Sequence, residues 1–349
     1  MRILVTGATG FVGRAIVAEL LMENLEVFCM GSLSRAGTDE LPNFLRADIT
    51  NTESLERLES LPLIDVLIHT AGLAHQFGGA SLEEFWRINV EGTKNVCLLA
   101  ERLGVKHFIH ISSVSVYGRG KQSGGGLLAE DVRCEPESVY AQSKFEAEKT
   151  AADICRKNSI LLTILRPATI IGENDPGNTW RLIEAIDNRK FIWIGKGENY
   201  KSLIYKTDVA RACLSVLKKS SEKAESSESS ESSEIFNLTA EPVSMKEIVS
   251  EIEKRLDKKV PKIRIPGRLL RFVLKTNEKT FRIEKVRKLS ETVEKWLADD
   301  TFSGEKIAQA CGFRAATPVR AALQREVDSY LVQKSPKGRK GLKRQSSQK

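Results

Sequence analysis

Apolar residues along this chain alternate between two spacings. Arg2 to Thr6 is a short continuous run, Ile3-Leu4-Val5, while Phe11 to Met22 places its apolar residues at helical intervals. The same switch recurs downstream. Strands are predicted near Arg2–Thr6, Glu26–Met30, Phe44–Arg46, Val66–Thr70, Phe108–Ser112 and Leu161–Arg166, and helices near Phe11–Met22, Thr52–Glu59, Leu82–Leu103 and Ser138–Lys157. Strands that read as unbroken apolar runs and alternate with helices imply a parallel sheet covered on both faces, an α/β fold of the doubly wound, Rossmann type. No internal repeat is visible. Past Pro167 the character changes: Asn178–Asn188, Lys206–Leu217 and Ser244–Leu256 look helical with short strands between, and amphipathic helices follow to Tyr330.

The division expected from this pattern is a dinucleotide-binding domain over 1–167 and a smaller C-terminal lobe over 168–332, with segments around 203–238 returning to the first domain. Lys218 to Glu234 alternates serine pairs with Glu and Lys and has no apolar face, so it reads as a flexible insert ahead of the strand Ile235–Leu238.

Charge adds one element. The net charge is +8, but Gln333 to Lys349 carries seven basic residues and no acidic one, so the body is nearly neutral. That segment has too few apolar residues to fold and reads as a disordered basic tail. No apolar stretch approaches the ~18 residues of a membrane span, and the chain opens directly on its first strand. The six cysteines are scattered, which fits reduced thiols in a cytoplasm better than a disulfide framework. Neither they nor the four histidines stand at metal-ligand spacing: His69, His107 and His110 fall on strands and His75 in a loop, so no metal site is expected.

Two motifs carry chemistry. Thr6-Gly7-Ala8-Thr9-Gly10-Phe11-Val12-Gly13 falls at a strand-to-helix turn, where Gly7 permits the sharp turn, Gly10 lets backbone approach a pyrophosphate and Gly13 lets the helix sit close to the sheet. The anion would rest on the free N–H groups at the helix start. Further on, Tyr140 and Lys144 are four residues apart on one predicted helix and share a face, and Ser113 ends the strand before it. A tyrosine near its ordinary pKa of about 10 needs roughly 3 units of phenolate stabilisation to act as a base at neutral pH. A neighbouring ammonium and a positive nicotinamide ring would supply it, with Ser113 holding the reacting oxygen.

With these residues the chain resembles the extended short-chain dehydrogenase/reductase family, the NAD-dependent epimerases and dehydratases, from Met1 to about Tyr330. The resemblance extends through Ala47-Asp48-Ile49, His69-Thr70-Ala71-Gly72, Ser112-Ser113-Val114-Ser115-Val116-Tyr117-Gly118, Asn89-Val90-Glu91-Gly92-Thr93, Leu165-Arg166-Pro167 and Asp208-Val209-Ala210. It implies a catalytic set of Ser113, Tyr140 and Lys144. It also implies a cofactor site drawn from Gly7, Thr9, Gly10, Phe11, Val12, Gly13, Arg35, Asp48, Ile49, Thr70, Ala71, Gly72, Asn89, Tyr140, Lys144 and Pro167, in which Asp48 meets the adenine amine. For substrate it points to Ser113, to Asn178 and to Lys201, the last standing where relatives carry a diphosphate-binding arginine.

The activity so implied is nicotinamide-dependent chemistry at C4 of a nucleotide-activated sugar, as epimerisation or as reduction of a 4-keto group; the residues named serve both. Thr169 stands where the UDP-galactose 4-epimerases have asparagine, a departure from that assignment. A reductase or dehydrogenase of a sterol- or flavonoid-type alcohol, and a cofactor-bound binding protein without catalysis, remain as alternatives. NAD-preferring relatives end the second strand with an acidic residue; Gly31 stands there, with Arg35 nearby, so NADP is admitted and mildly favoured over NAD. By the same analogy a homodimer would form through the helices Leu82–Leu103 and Ser138–Lys157, in the cytoplasm.

Overall fold

The computed structural model describes residues 1–32, 40–74, 80–118, 126–175, 177–225, 233–261, 263–267, 270, 293–294 and 296–335. Arg35, His75, residues 226–232 of the serine-rich segment and the tail from residue 336 lie outside them.

Seven strands form the central sheet: β1 (Arg2–Thr6), β2 (Glu26–Gly31), β3 (Phe44–Arg46), β4 (Val66–His69), β5 (His107–Ile111), β6 (Leu161–Pro167) and, far along the chain, β11 (Glu234–Leu238). Their order is β11-β6-β5-β4-β1-β2-β3 and every pairing is parallel. The chain winds outward one way from β1 to β3 and the other way from β4 to β6. The reversal between β1 and β4 opens a crevice at their carboxyl ends, where ligands of such sheets bind.

Both faces are covered, which is why the strands lack polar alternation. Ile3, Val5, Ile68 and Ile109 look toward α1 (Phe11–Met22) and α7 (Lys206–Glu225); Leu4, Leu67, Phe108 and Leu162 look toward α2 (Thr52–Glu56), α4 (Gly92–Arg102) and α5 (Val139–Lys157). Helix α7 and strand β11 thus return to this layer after the chain has left it.

The structure departs from the periodicity in two places. The helix expected over 82–103 runs unbroken to Arg102, but between α3 (Leu82–Phe85) and α4 it widens into a π-helical turn at Trp86–Glu91. The segment expected as a loop from Lys218 is helical to Glu225, because Val216 and Leu217 anchor the last turns of α7 in the core and helix propagation costs little once begun.

Beyond β6 a second core forms. Strands β7 (Thr169–Ile171) and β10 (Leu203–Tyr205) pair in parallel beside α6 (Asn178–Asp187), α8 (Met245–Leu256) and α10 (Val319–Lys334), which pack Ile171, Ile183, Phe191, Val249, Leu323 and Val327 together. Short pairs link β8 (Trp193–Ile194) to β13 (Arg264–Ile265) and β9 (Tyr200–Lys201) to β12 (Val243–Ser244). Helix α9 (Glu305–Cys311) turns back to lay Ile307 on the sheet core.

The loop from β7 to α6 is fastened by two buried acids. Gly172 N–H donates to Glu326 Oε2 at 3.1 Å and Gly177 N–H to Asp175 Oδ1 at 2.8 Å, and the other oxygens, Asp175 Oδ2 and Glu326 Oε1, are buried with no other partner among the described residues, so the two neighbouring carboxyls require a proton between them. Burial and the neighbouring Asp175 push Glu326 up to about 9, so Glu326 keeps that proton at neutral pH. The fold holds it more tightly than the unfolded chain does, so this share of stability is complete at acid pH and is lost as pH climbs from the ordinary carboxyl range toward 9. Glu326→Gln keeps both contacts without the proton. Its melting temperature is expected to exceed the parent's at pH 9 and to lie within about 3 °C of it at pH 5, read by thermal unfolding across that range.

Candidate active site

The glycine loop is built as its spacing requires. Gly7 has φ +69°, a left-handed conformation that only glycine adopts without strain, and a Cβ there would stand 2.6 Å from Ala71 N. A Cβ on Gly13 would stand 2.1 Å from Gly7 O, so that glycine is what allows α1 to rest against the turn. Gly10 caps α1 in extended conformation and leaves the first-turn N–H groups of Phe11, Val12 and Gly13 without intrahelical acceptors. A Cβ on Gly10 would meet only Gly7 O, at 3.1 Å; its other side faces the crevice. The cradle fits a pyrophosphate approaching along the backbone.

The crevice has a volume of about 270 Å³ and runs from Gly7, Thr9 and Gly10 past Thr70, Ala71 and Gly72 to Asp48 and Ile49. Asp48 is oriented by Thr50, whose N–H and hydroxyl both donate to Asp48 Oδ1 at 2.9 Å. Arg87 Nη1 donates to Thr50 Oγ1 at 3.0 Å and lines the same end. Sequence reasoning missed Arg87, because the widened turn at Trp86–Glu91 shifts the helical register that a uniform helix predicts. At Gly31 a Cβ would meet the Thr9 side chain at 3.0 Å, so the loop occupies the place where a carboxylate would begin.

Asn89 sits in that π-helical turn and clamps the rim. Its Oδ1 accepts from Leu73 N–H at 2.7 Å, and its Nδ2 donates to Leu73 O at 3.0 Å and to Ser143 Oγ at 2.9 Å. One side chain thus ties the loop after β4 to α5. Beneath it His69 bridges Thr6 Oγ1 (2.7 Å) and Thr93 Oγ1 (3.0 Å), and burial holds its pKa down to about 3, a neutral structural imidazole.

Helix α5 opens with Ser138, whose hydroxyl accepts from Ala141 N–H at 3.1 Å. This cap sets the helix phase so that Tyr140 and Lys144 look inward. Lys144 is buried; its Nζ donates to Ile111 O at 2.6 Å and stands 4.0 Å from where a Cβ on Gly72 would be, at the crevice wall. Burial pushes its pKa down to about 8, opposed by the charge of Glu148. Tyr140 is half-buried with its ring edge-on to Phe85, centroids 6.2 Å apart. Burial raises the phenol above its ordinary value, and a hydrogen bond with Ser113 opposes that rise. Ser113 caps the short 3-10 turn Val114–Tyr117, its Oγ accepting from Ser115 N–H at 3.1 Å. The Tyr140 phenol is thus paired with the Ser113 hydroxyl, and the Lys144 ammonium, one turn along the same helix face, stands beside Gly72 of the crevice wall.

The remaining sequence-predicted positions are placed less centrally. Pro167 is buried in the β6–β11 pairing and does not line the crevice. Asn178 is exposed at the first position of α6. Lys201, on β9, has its Nζ on Asp300 Oδ2 at 2.5 Å and Ala298 O at 2.8 Å, so its charge already has a carboxylate beside it. Among the described residues no group of His, Cys, Asp and Glu is arranged to hold a metal ion, and no helix is long and apolar enough to cross a membrane.

A twisted parallel sheet with a glycine cradle at its switch point and a Tyr-Lys pair beside it defines a dinucleotide-dependent enzyme scaffold. The NAD dependent epimerase/dehydratase family matches residues 3–238, and the chain belongs to that family. It is 28% identical over 341 residues, 95% of each chain, to the N-acetyl-alpha-D-glucosaminyl-diphospho-ditrans,octacis-undecaprenol 4-epimerase of Escherichia coli O157:H7. It is 26% identical over 344 residues, covering 95% of this chain and 90% of the other, to a 3 beta-hydroxysteroid dehydrogenase/isomerase of Mycobacterium tuberculosis. The UDP-glucuronic acid 4-epimerase of Bacillus cereus, solved in complex with NAD, superposes with a TM-score of 0.72 at 22% identity over 95% of this chain and 99% of that one.

Gly10→Ala and Gly13→Ala separate binding from folding. Gly13→Ala is expected to lower the melting temperature by several degrees through its backbone clash, whereas Gly10→Ala melts near the parent yet binds reduced nicotinamide cofactor about tenfold more weakly, measured by fluorescence titration.

Proposed function

We propose that the chain is a nicotinamide-dependent enzyme acting at C4 of a nucleotide-activated sugar, as a 4-epimerase or a 4-keto reductase. What supports this reading most is the hydrogen bond between Tyr140 and Ser113 together with Lys144, on the same helix face, beside Gly72 of the crevice wall. The names of the relatives that are 4-epimerases of diphosphate-linked sugars point the same way.

When bound, the cofactor supplies a hydride acceptor and donor and a positive ring. The protein does the rest. Tyr140 takes the proton of the C4 hydroxyl as it is oxidised and returns it on reduction, Ser113 hydrogen-bonds the same oxygen, and Lys144 as an ammonium favours the phenolate electrostatically. Burial alone holds the Tyr140 phenol too weakly acidic for this role, so the neighbouring cations are required. First-turn N–H groups of α1 would hold the pyrophosphate and Asp48 would meet the adenine amine, while Asn89 holds the Ala71–Leu73 loop at the crevice rim. Epimerisation follows if the keto sugar turns over before re-reduction, and net reduction or oxidation if it leaves.

NAD accompanies the solved relative described above. The missing carboxylate at Gly31 admits NADP as well, and the mild lean toward it is judged by comparing the two reduced cofactors in the same titration; equal or tighter binding of NADH removes it. Free thiols at all six cysteines accord with a cytoplasmic setting, and a homodimer through α4 and α5 completes the proposal.

A second reading, oxidation or reduction of a sterol-type alcohol, draws on the comparable identity to the steroid dehydrogenase and on the carboxylate already beside Lys201. Lys201→Ala leaves KM unchanged in that case and raises it for a nucleotide sugar. For either substrate Tyr140→Phe is expected to lower kcat about a thousandfold while the dissociation constant of reduced cofactor stays within about twofold, and near-parental turnover would remove Tyr140 from catalysis.

A further inference from the structure

Glu148 stands one turn beyond Lys144 on α5, so Tyr140, Lys144 and Glu148 form a ladder at four-residue spacing along one face. Its carboxylate is buried and fully engaged. Arg166, from β6, grips it with two parallel bonds, Nε to Oε1 at 2.9 Å and Nη2 to Oε2 at 2.6 Å, while Ser112 Oγ donates to Oε1 at 2.5 Å. The pair is 3% and 4% exposed, so nearly all its hydration has been replaced by these contacts. Arg166 in turn lies over the Tyr117 ring, 4.9 Å from its centroid, and the Tyr117 hydroxyl donates to Asn237 at 2.8 Å. Strands β5, β6 and β11 and helix α5 are thereby joined through one carboxylate.

We infer that Glu148 is a positioning residue for the reaction proposed above: clamped by Arg166, it fixes the Ser112-Ser113 strand end against α5 and keeps Lys144 an ammonium beside Tyr140. The positional part follows from adjacency. Ser112 is bonded to Glu148 and its chain neighbour Ser113 is bonded to Tyr140, so the distance between the end of β5 and the helix face is set from both sides.

The electrostatic part follows from what surrounds Lys144. His69 of β4 and His110 of β5 are held neutral by burial and give no negative charge; the Ile111 carbonyl gives a dipole; Arg166 is a cation. The Glu148 carboxylate is what opposes the burial of the ammonium. Removing it leaves Arg166 unpaired in the same low-dielectric space and drives the Lys144 proton off. Removing Arg166 does the reverse, because the carboxylate then has Lys144 as its remaining cation.

The test follows Lys144 directly in the full-length protein, labelled with 13C at the lysine ε-carbon, its resonance assigned with Lys144→Arg. Titration near pH 8 is expected in the parent, lower by about one pH unit or more in Glu148→Gln, higher in Arg166→Gln, and near the parent in the double variant. If Glu148→Gln does not fold, Arg166→Gln and the double variant decide. A Lys144 titration that stays in place in the charge variants overturns the inference. This measurement needs no substrate, so it stands or falls apart from the assignment of the reaction. With a turned-over substrate, Ser112→Ala keeps the parental titration and lowers kcat about tenfold, the mark of lost positioning; parental kcat overturns the positional part.

Discussion

The buried pairing of Arg166 with Glu148 is the contact on which the centre of this molecule turns. Taking two charges out of water costs several kcal/mol per ion, and mutual attraction offsets it only with near-ideal geometry and every remaining donor and acceptor engaged. Here the fork is bidentate, Ser112 takes part of the carboxylate's remaining capacity, and Tyr117 offers its ring face to the guanidinium. Such a pair contributes less as stability than as a demand on geometry. Once β6 carries the arginine and α5 the carboxylate, the helix has little freedom to slide or rotate, and the residues one and two turns earlier inherit their positions.

The glycine cradle imposes the corresponding demand on the other side of the crevice. Gly13 lets α1 approach Gly7 O more closely than any side chain permits, and the positive φ of Gly7 turns the chain out of β1 toward it. Asn89 joins the two halves, because its amide holds both the loop after β4 and Ser143 of α5. A rigid sheet, two helices and one clamping amide thus hold the glycine turn before α1 and the Tyr140–Lys144 face of α5 in fixed relation. The C-terminal lobe is attached more conditionally: its β7–α6 loop depends on a proton shared by Asp175 and Glu326, which ties its fastening to pH.

Much of this was legible in the order of residues. Continuous apolar runs such as Ile3-Leu4-Val5 and Val66-Leu67-Ile68 mark strands buried on two faces, and the glycines between β1 and α1 mark a turn with no room for side chains. The four-residue interval from Tyr140 to Lys144 places both on one helix face whatever the rest of the chain does. Local geometry suffices for those statements, since each depends on residues within one or two turns of each other.

Other features were hidden because they depend on partners distant in sequence. The π-helical turn at Trp86–Glu91 widens a helix that periodicity alone draws as uniform, and it is Asn89, bonded to Leu73 and Ser143, that makes use of the widened turn. The last turns of α7 look like loop by composition but follow a helix already anchored in the core. Lys201 and Asp300 are ninety-nine residues apart, and nothing in either neighbourhood announces their pairing. By itself, then, the sequence determined most of the element types, the parallel α/β architecture and the residues here proposed to hold a dinucleotide and move a proton. Only the tertiary structure decided which side chains neutralise one another, because electrostatics and burial act through space between segments the chain brings together from far apart.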